Sequence, residues 1–209
     1  MAWGARLAGT QRVLLDYSSP SGLITRHVRG SLIASSLQTL REQGHYDRYL
    51  TLLPAAQRET VLYSLASSWV PIEAASAHYR ACDDLRLDEG QMIAIGEAVA
   101  KRIMGTFLAT LLRTGRSLGA APTPWLVLNQ YHRVCERIID GGRHVVTELG
   151  PKDAVVQTLG LPLFDHHYFR TATVGMFRAG IGIFAKACYA RELTDRATRD
   201  SIAVSLRWV

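Results

Sequence analysis

The sequence predicts an α+β fold: a helical N-terminal two-thirds packed on a C-terminal four-stranded antiparallel sheet in β-β-α-β-β order. Three observations carry this. The last residues alternate without a break, with Ile202, Val204, Leu206 and Trp208 on one side and Ser201, Ala203, Ser205 and Arg207 on the other. That is the period of a strand with one buried face. Two β-branched runs, Arg143 to Leu149 and Ala154 to Leu159, are joined by Gly150-Pro151-Lys152-Asp153, a hairpin signature. Between residues 31 and 140, apolar residues recur at spacings of three and four, the period of amphipathic helices.

Residues 1–28 read as an N-terminal arm or edge strand, with the apolar piece Arg12 to Tyr17 followed by the turn-rich Ser18-Ser19-Pro20-Ser21-Gly22. Residues 29–209 read as one α+β domain. Leu32, Ser36, Leu37 and Leu40 form the first helical stripe, which Gly44 ends. Asp47 to Leu53 adds a helical turn. Pro54 sits at the first position of the next helix, and Trp69-Val70-Pro71 breaks it. Residues 72–83 form a short helix. Asp88-Glu89-Gly90-Gln91 has the capping-box pattern and starts the longest helix, with Met92, Ile95, Val99, Ile103, Phe107 and Leu111 on one stripe. Thr123-Pro124 opens a helix closed by Gly141-Gly142. Asp165 can cap a helix running to about Phe184, whose Gly175, Gly180 and Gly182 suggest a close approach to the sheet. Ala187 to Leu193 and Ser201 to Trp208 form the second hairpin.

A chain of 209 residues can bury a substantial core, and 48% hydrophobic with 20% charged residues suits a soluble protein. No apolar run reaches membrane-spanning length, so no membrane span is expected. The first residues lack the pattern of a secretory signal, so a cytoplasmic protein is expected. Cys82, Cys135 and Cys188 are far apart, which argues for reduced thiols over a metal knuckle. The net charge is +6, but the arginines are scattered singly and mixed with acids, so nucleic acid is not an expected partner.

Four stretches carry a family resemblance: Arg29-Gly30-Ser31-Leu32, the long helix from Gly96 to Leu112 running into Leu118-Gly119, Thr147-Glu148-Leu149-Gly150-Pro151, and the closing Ser205-Leu206-Arg207-Trp208. Over residues 28–209 the chain resembles an uncharacterised family found mainly in myxobacteria. That family is similar to the fold shared by haem-based nitric-oxide sensors and vesicle-tethering subunits. The resemblance implies three uses of one scaffold: holding haem, enclosing a small apolar ligand, and docking protein partners. The haem sensors use an axial His on a helix and a Tyr-x-Ser-x-Arg motif for the propionates. His78 and His132 fall on helices here, but the sequence contains no Tyr-x-Ser-x-Arg. No cofactor is therefore expected, and haem is not favoured.

The residues themselves offer little catalytic chemistry. There is no Gly-x-Ser-x-Gly elbow, no HExxH and no Cys–His cluster. His166-His167 read as exposed or capping residues at a helix start, and Asp83-Asp84 as helix-flanking charges. Trp69, Tyr79, Phe107, Trp125, Tyr131, His132 and Phe177 lie on faces expected to meet between helices and sheet, a lining suited to a small apolar ligand. The chain is expected to be a non-catalytic regulatory or scaffolding module, homodimeric and acting through protein–protein contacts. The alternative is a small-molecule sensor holding an apolar ligand or haem between helices and sheet.

Overall fold

A computed structural model describes residues 11–117 and 123–209, with the side chains of residues 106–117 outside the description. In chain order the elements are β1 (Arg12–Ser18), β2 (His27–Arg29), α1 (Gly30–Glu42), α2 (Tyr46–Leu52), α3 (Ala55–Tyr63), β3 (Trp69–Pro71), α4 (Ile72–Asp83), α5 (Glu89–Ser117), α6 (Pro124–Leu128) and α7 (Tyr131–Ile138). They continue with β4 (Arg143–Gly150), β5 (Asp153–Leu159), a 3-10 turn (Pro162–Asp165), α8 (His167–Gly182), β6 (Cys188–Glu192) and β7 (Ser201–Trp208). The chain is α+β, with helices in the N-terminal part and an antiparallel sheet crossed by α8.

The sheet has five strands, not four, in the order β1-β4-β5-β7-β6. The extra strand is β1, which pairs antiparallel with β4 from Arg12 opposite Glu148 to Ser18 opposite Arg143. Its acids and bases hold that edge: Arg143 makes two hydrogen bonds to Asp16, and Arg12 pairs with Glu148. β7 lies between β5 and β6, so its alternating side chains become a buried row. Ile202, Val204, Leu206 and Trp208 are each 4% exposed or less. Trp208 meets Trp125 of α6 with ring centroids 4.8 Å apart.

Three local expectations are corrected. Trp69-Val70-Pro71 does not merely break a helix. It forms β3, paired with β2, and three residues are too few for alternation to register. The helix expected from Pro124 onward is two helices, separated at Asn129–Gln130. Asp165 lies in the 3-10 turn and does not cap α8. Asp83, from the end of α4, accepts the Tyr168 N–H at 2.6 Å and fills that role across the fold. The capping box at α5 forms as expected: Gln91 N–H donates to Asp88 Oδ1 at 2.8 Å, and Asp88 N–H to Gln91 Oε1 at 3.0 Å.

α5 and α8 cross backbone to backbone. A Cβ built on Gly96 would overlap the Ala172 carbonyl oxygen and lie 2.7 Å from its carbon, and one on Gly175 would overlap the Ile93 carbonyl. Gly175 therefore serves helix–helix contact, not the helix–sheet approach expected from its spacing. This crossing sets the distance between the helical layer and α8, and so the space beside it.

No described helix is long and apolar enough to cross a membrane.

Candidate functional site

Beside that crossing lies an apolar cavity of about 80 Å³. α7 supplies one wall through Tyr131, Val134, Cys135 and Ile138, which share a face because they are spaced at three, four and seven. α8 supplies the opposite wall through Phe169, Thr173, Met176, Phe177, Gly180 and Ile181, again one helical stripe. Leu32 of α1, Met104 of α5 and Val127 and Leu128 of α6 complete the helical side. Thr158 of β5 and Leu161 and Phe164 after it close the sheet side.

The polar atoms in this lining are committed to one another. Tyr131 Oη and Thr158 Oγ1 are 2.8 Å apart, and Thr158 Oγ1 lies 3.4 Å from His144 Nδ1. Thr173 Oγ1 donates to the Phe169 carbonyl at 2.8 Å. Burial pushes the Tyr131 phenol up from its ordinary value and the Cys135 thiol up to about 12, so both are neutral near pH 7. His144, behind Tyr131 with ring centroids 5.5 Å apart, is pushed down to about 4 by burial and then by His132. The space is thus walled by hydrocarbon, aromatic faces, thioethers and a neutral thiol. Its polar groups are already satisfied, which suits an apolar guest and leaves a polar one without partners.

The seven residues singled out from the sequence separate. Tyr131 and Phe177 line the cavity, with rings 5.4 Å apart. Tyr79 is buried one layer behind, 4.6 Å from the lining Phe169. Trp125 packs on Trp208 and donates from Nε1 to the Pro151 carbonyl at 3.0 Å. Trp69 is 39% exposed on β3, under the Arg29 guanidinium at 3.9 Å, in a polar surface cleft with Ser19, His27, Glu136 and Asp140. His132 packs against Tyr17 at 4.9 Å and has a buried Nδ1 with no hydrogen-bond partner among the described residues. The Phe107 side chain lies outside the described residues. Val134, Cys135, Met176 and Ile181 also line the space, and nothing local in the sequence sets them apart from ordinary core. Their signal was present in the stripes of the two helices, but the pairing of those stripes was not.

Among the described residues no three His, Cys, Asp or Glu side chains gather as a metal site.

No protein-family model matches the chain, and no curated protein matches it in sequence. Solved structures do. An unliganded Fe(II) H-NOX protein variant from K. algicida aligns with TM-score 0.64 at 9% identity, over 87% of this chain and 96% of that one. A structure solved to study haem redox potential modulated through porphyrin distortion aligns with TM-score 0.57 at 10% identity, over 86% and 99%. An H-NOX variant from T. Tengcongensis aligns with TM-score 0.51 at 10% identity, over 86% and 97%. At such identities the likeness establishes the fold. It also corrects the expectation of no cofactor, since the solved structures of this fold include haem proteins. The missing Tyr-x-Ser-x-Arg is a local pattern, whereas a cofactor fold is a matter of tertiary packing that a local pattern does not report.

Proposed function

We propose that this chain is a small-molecule sensor domain whose ligand is small and apolar, held between α7 and α8 above the sheet. One observation supports this reading: a cavity of about 80 Å³ in which every oriented polar atom is already paired. Such a space stays dry. An engineered apolar cavity of about 150 Å³ in another protein takes benzene or xenon, so a guest that fills such a space requires this one to open to roughly twice its volume. The scaffold reading has no comparable feature behind it.

Haem is the group that the solved relatives point to. The cavity is far below the roughly 300–1,000 Å³ of ordinary cofactor pockets, and its described lining holds no imidazole and no cation for propionates. The residues present do not fit a porphyrin in this form of the chain.

A thermal-shift series with xenon, benzene and indole tests the proposal, with a haemin titration alongside. At a ligand concentration 100 times its Kd, mass action adds about 2.7 kcal/mol. For a chain of this size that is a rise of roughly 5–10 °C in Tm. Val134→Phe, which places a phenyl ring in the cavity, abolishes the rise. A shift that persists in Val134→Phe, or no shift with any apolar probe, rejects the cavity as the site. A Soret band saturating at one equivalent of haemin assigns the ligand as haem and rejects a small apolar one.

A further inference from the structure

A second constellation, away from the cavity, joins α4 to the start of α8. Ser76 Oγ lies 2.7 Å from His166 Nε2, and His166 Nδ1 lies 3.2 Å from Asp83 Oδ2. The second oxygen of Asp83 accepts the Tyr168 N–H at 2.6 Å, which fixes the carboxylate. Ser76 and Asp83 are seven residues apart and share a face of α4, two turns from each other. His166 is 7% exposed, so its ring is held by packing as well as by both hydrogen bonds. With Asp83 accepting at Nδ1, Nε2 is left to accept the Ser76 proton, the connectivity of a nucleophilic serine triad.

We propose that Ser76 is a nucleophilic serine, activated by His166 and oriented through Asp83, that accepts an acyl group from a small carboxylic ester. Ser76 Oγ forms the bond to the acyl carbon while its proton passes to His166 Nε2. The ester C–O bond then breaks, and the departing alcohol takes that proton. Water enters the same way with His166 as base, releases the acid and restores Ser76. Ser76 is half-buried. Arg80, one turn further along the same face, is exposed and makes no side-chain ion pair among the described residues. It is the nearest cation on α4 to meet the charge that develops on the carbonyl oxygen.

No local pattern announces this group, because Ser76 and His166 stand 90 residues apart and no elbow motif surrounds the serine. A purely structural clamp between α4 and α8 would need the same hydrogen bonds, so stability alone does not separate the two roles. Covalent chemistry does.

The test uses an alkyl phosphonofluoridate on the folded full chain, read by intact mass and peptide mapping. The Oγ–P bond forms, and fluoride departs with the serine proton. The expected result is one equivalent on Ser76, none there in Ser76→Ala, and labelling at least about 10-fold slower in Asp83→Asn. As a second measurement that does not depend on Asp83→Asn folding, Ser76→Cys is alkylated by iodoacetamide below pH 7 faster than free cysteine. Absence of label on Ser76 in the folded protein overturns the proposal. So does an undiminished rate in folded Asp83→Asn, or a Ser76→Cys thiol no more reactive than free cysteine.

Discussion

Replacing Gly96 by Ala separates the tertiary role of this residue from its local one. In a helix interior, Ala is normally the better residue by about 1 kcal/mol, because Gly loses more backbone freedom on folding. At Gly96 that preference meets the backbone of α8. The new methyl carbon would overlap the Ala172 carbonyl oxygen and stand 2.7 Å from its carbonyl carbon and 2.9 Å from its Cα. Carbon contacts settle at about 3.5–4.0 Å, so the helices must part by roughly 1 Å. Overpacking costs about 1–3 kcal/mol where side chains can yield. Here the obstruction is backbone, so the upper end applies and the net effect is about 2 kcal/mol destabilising. Gly105, on the same helix with nothing within 4 Å of a built Cβ, provides the control. Gly105→Ala should stabilise by about 0.5–1 kcal/mol. Urea unfolding followed by circular dichroism reads both, as does a Tm change of about 2–4 °C per kcal/mol. Gly96→Ala and Gly175→Ala together should cost less than their sum, because one separation relieves both. A Gly96→Ala variant as stable as Gly105→Ala would refute the close crossing of α5 and α8.

Two further outcomes follow from buried charge. His78 is held neutral by burial, its pKa pushed down to about 3, between Tyr49 Oη at 2.7 Å and Ser36 Oγ at 3.0 Å, and His144 is pushed down to about 4. The unfolded chain takes up these protons near pH 6.5, so the stability they contribute is complete above that pH. It falls as the pH drops, until about 4 for His144 and 3 for His78. At about 1.4 kcal/mol per pH unit for each group, roughly 4 kcal/mol is lost by pH 5, read as a lower urea midpoint. A midpoint flat from pH 7.5 to 5 contradicts the neutral burial of both rings. Arg170 donates to the carbonyls of Phe164, Thr198 and Ser201 and pairs with Glu192, their side chains 16% and 19% exposed. Arg170→Met leaves that carboxylate and those carbonyls without their partner and should cost about 3 kcal/mol in urea unfolding. Arg170→Met with Glu192→Leu should recover part of it.

Much of the scaffold was legible because it is periodic. The alternation of Ile202, Val204, Leu206 and Trp208 implied a strand in need of partners, and the hairpin at Gly150–Asp153 supplied them. What stayed hidden depends on contacts between distant segments. β1 was short and followed by a turn, so nothing local showed whether it joined the sheet. The aromatic faces announced burial without saying which faces meet: Tyr131 and Phe177 share a cavity, whereas Trp69 faces a surface cleft and Trp125 the end of β7. Asp83 looked like a charge flanking the next helix. Only the fold brings it to the start of α8 and to His166.

The claim that the space between α7 and α8 receives an apolar guest is tested most directly by diffraction from a crystal held under xenon. The account predicts one xenon site among Tyr131, Val134 and Phe177, absent in Val134→Phe. A wild-type crystal without xenon there, with Met104 or Met176 filling the space, would contradict it.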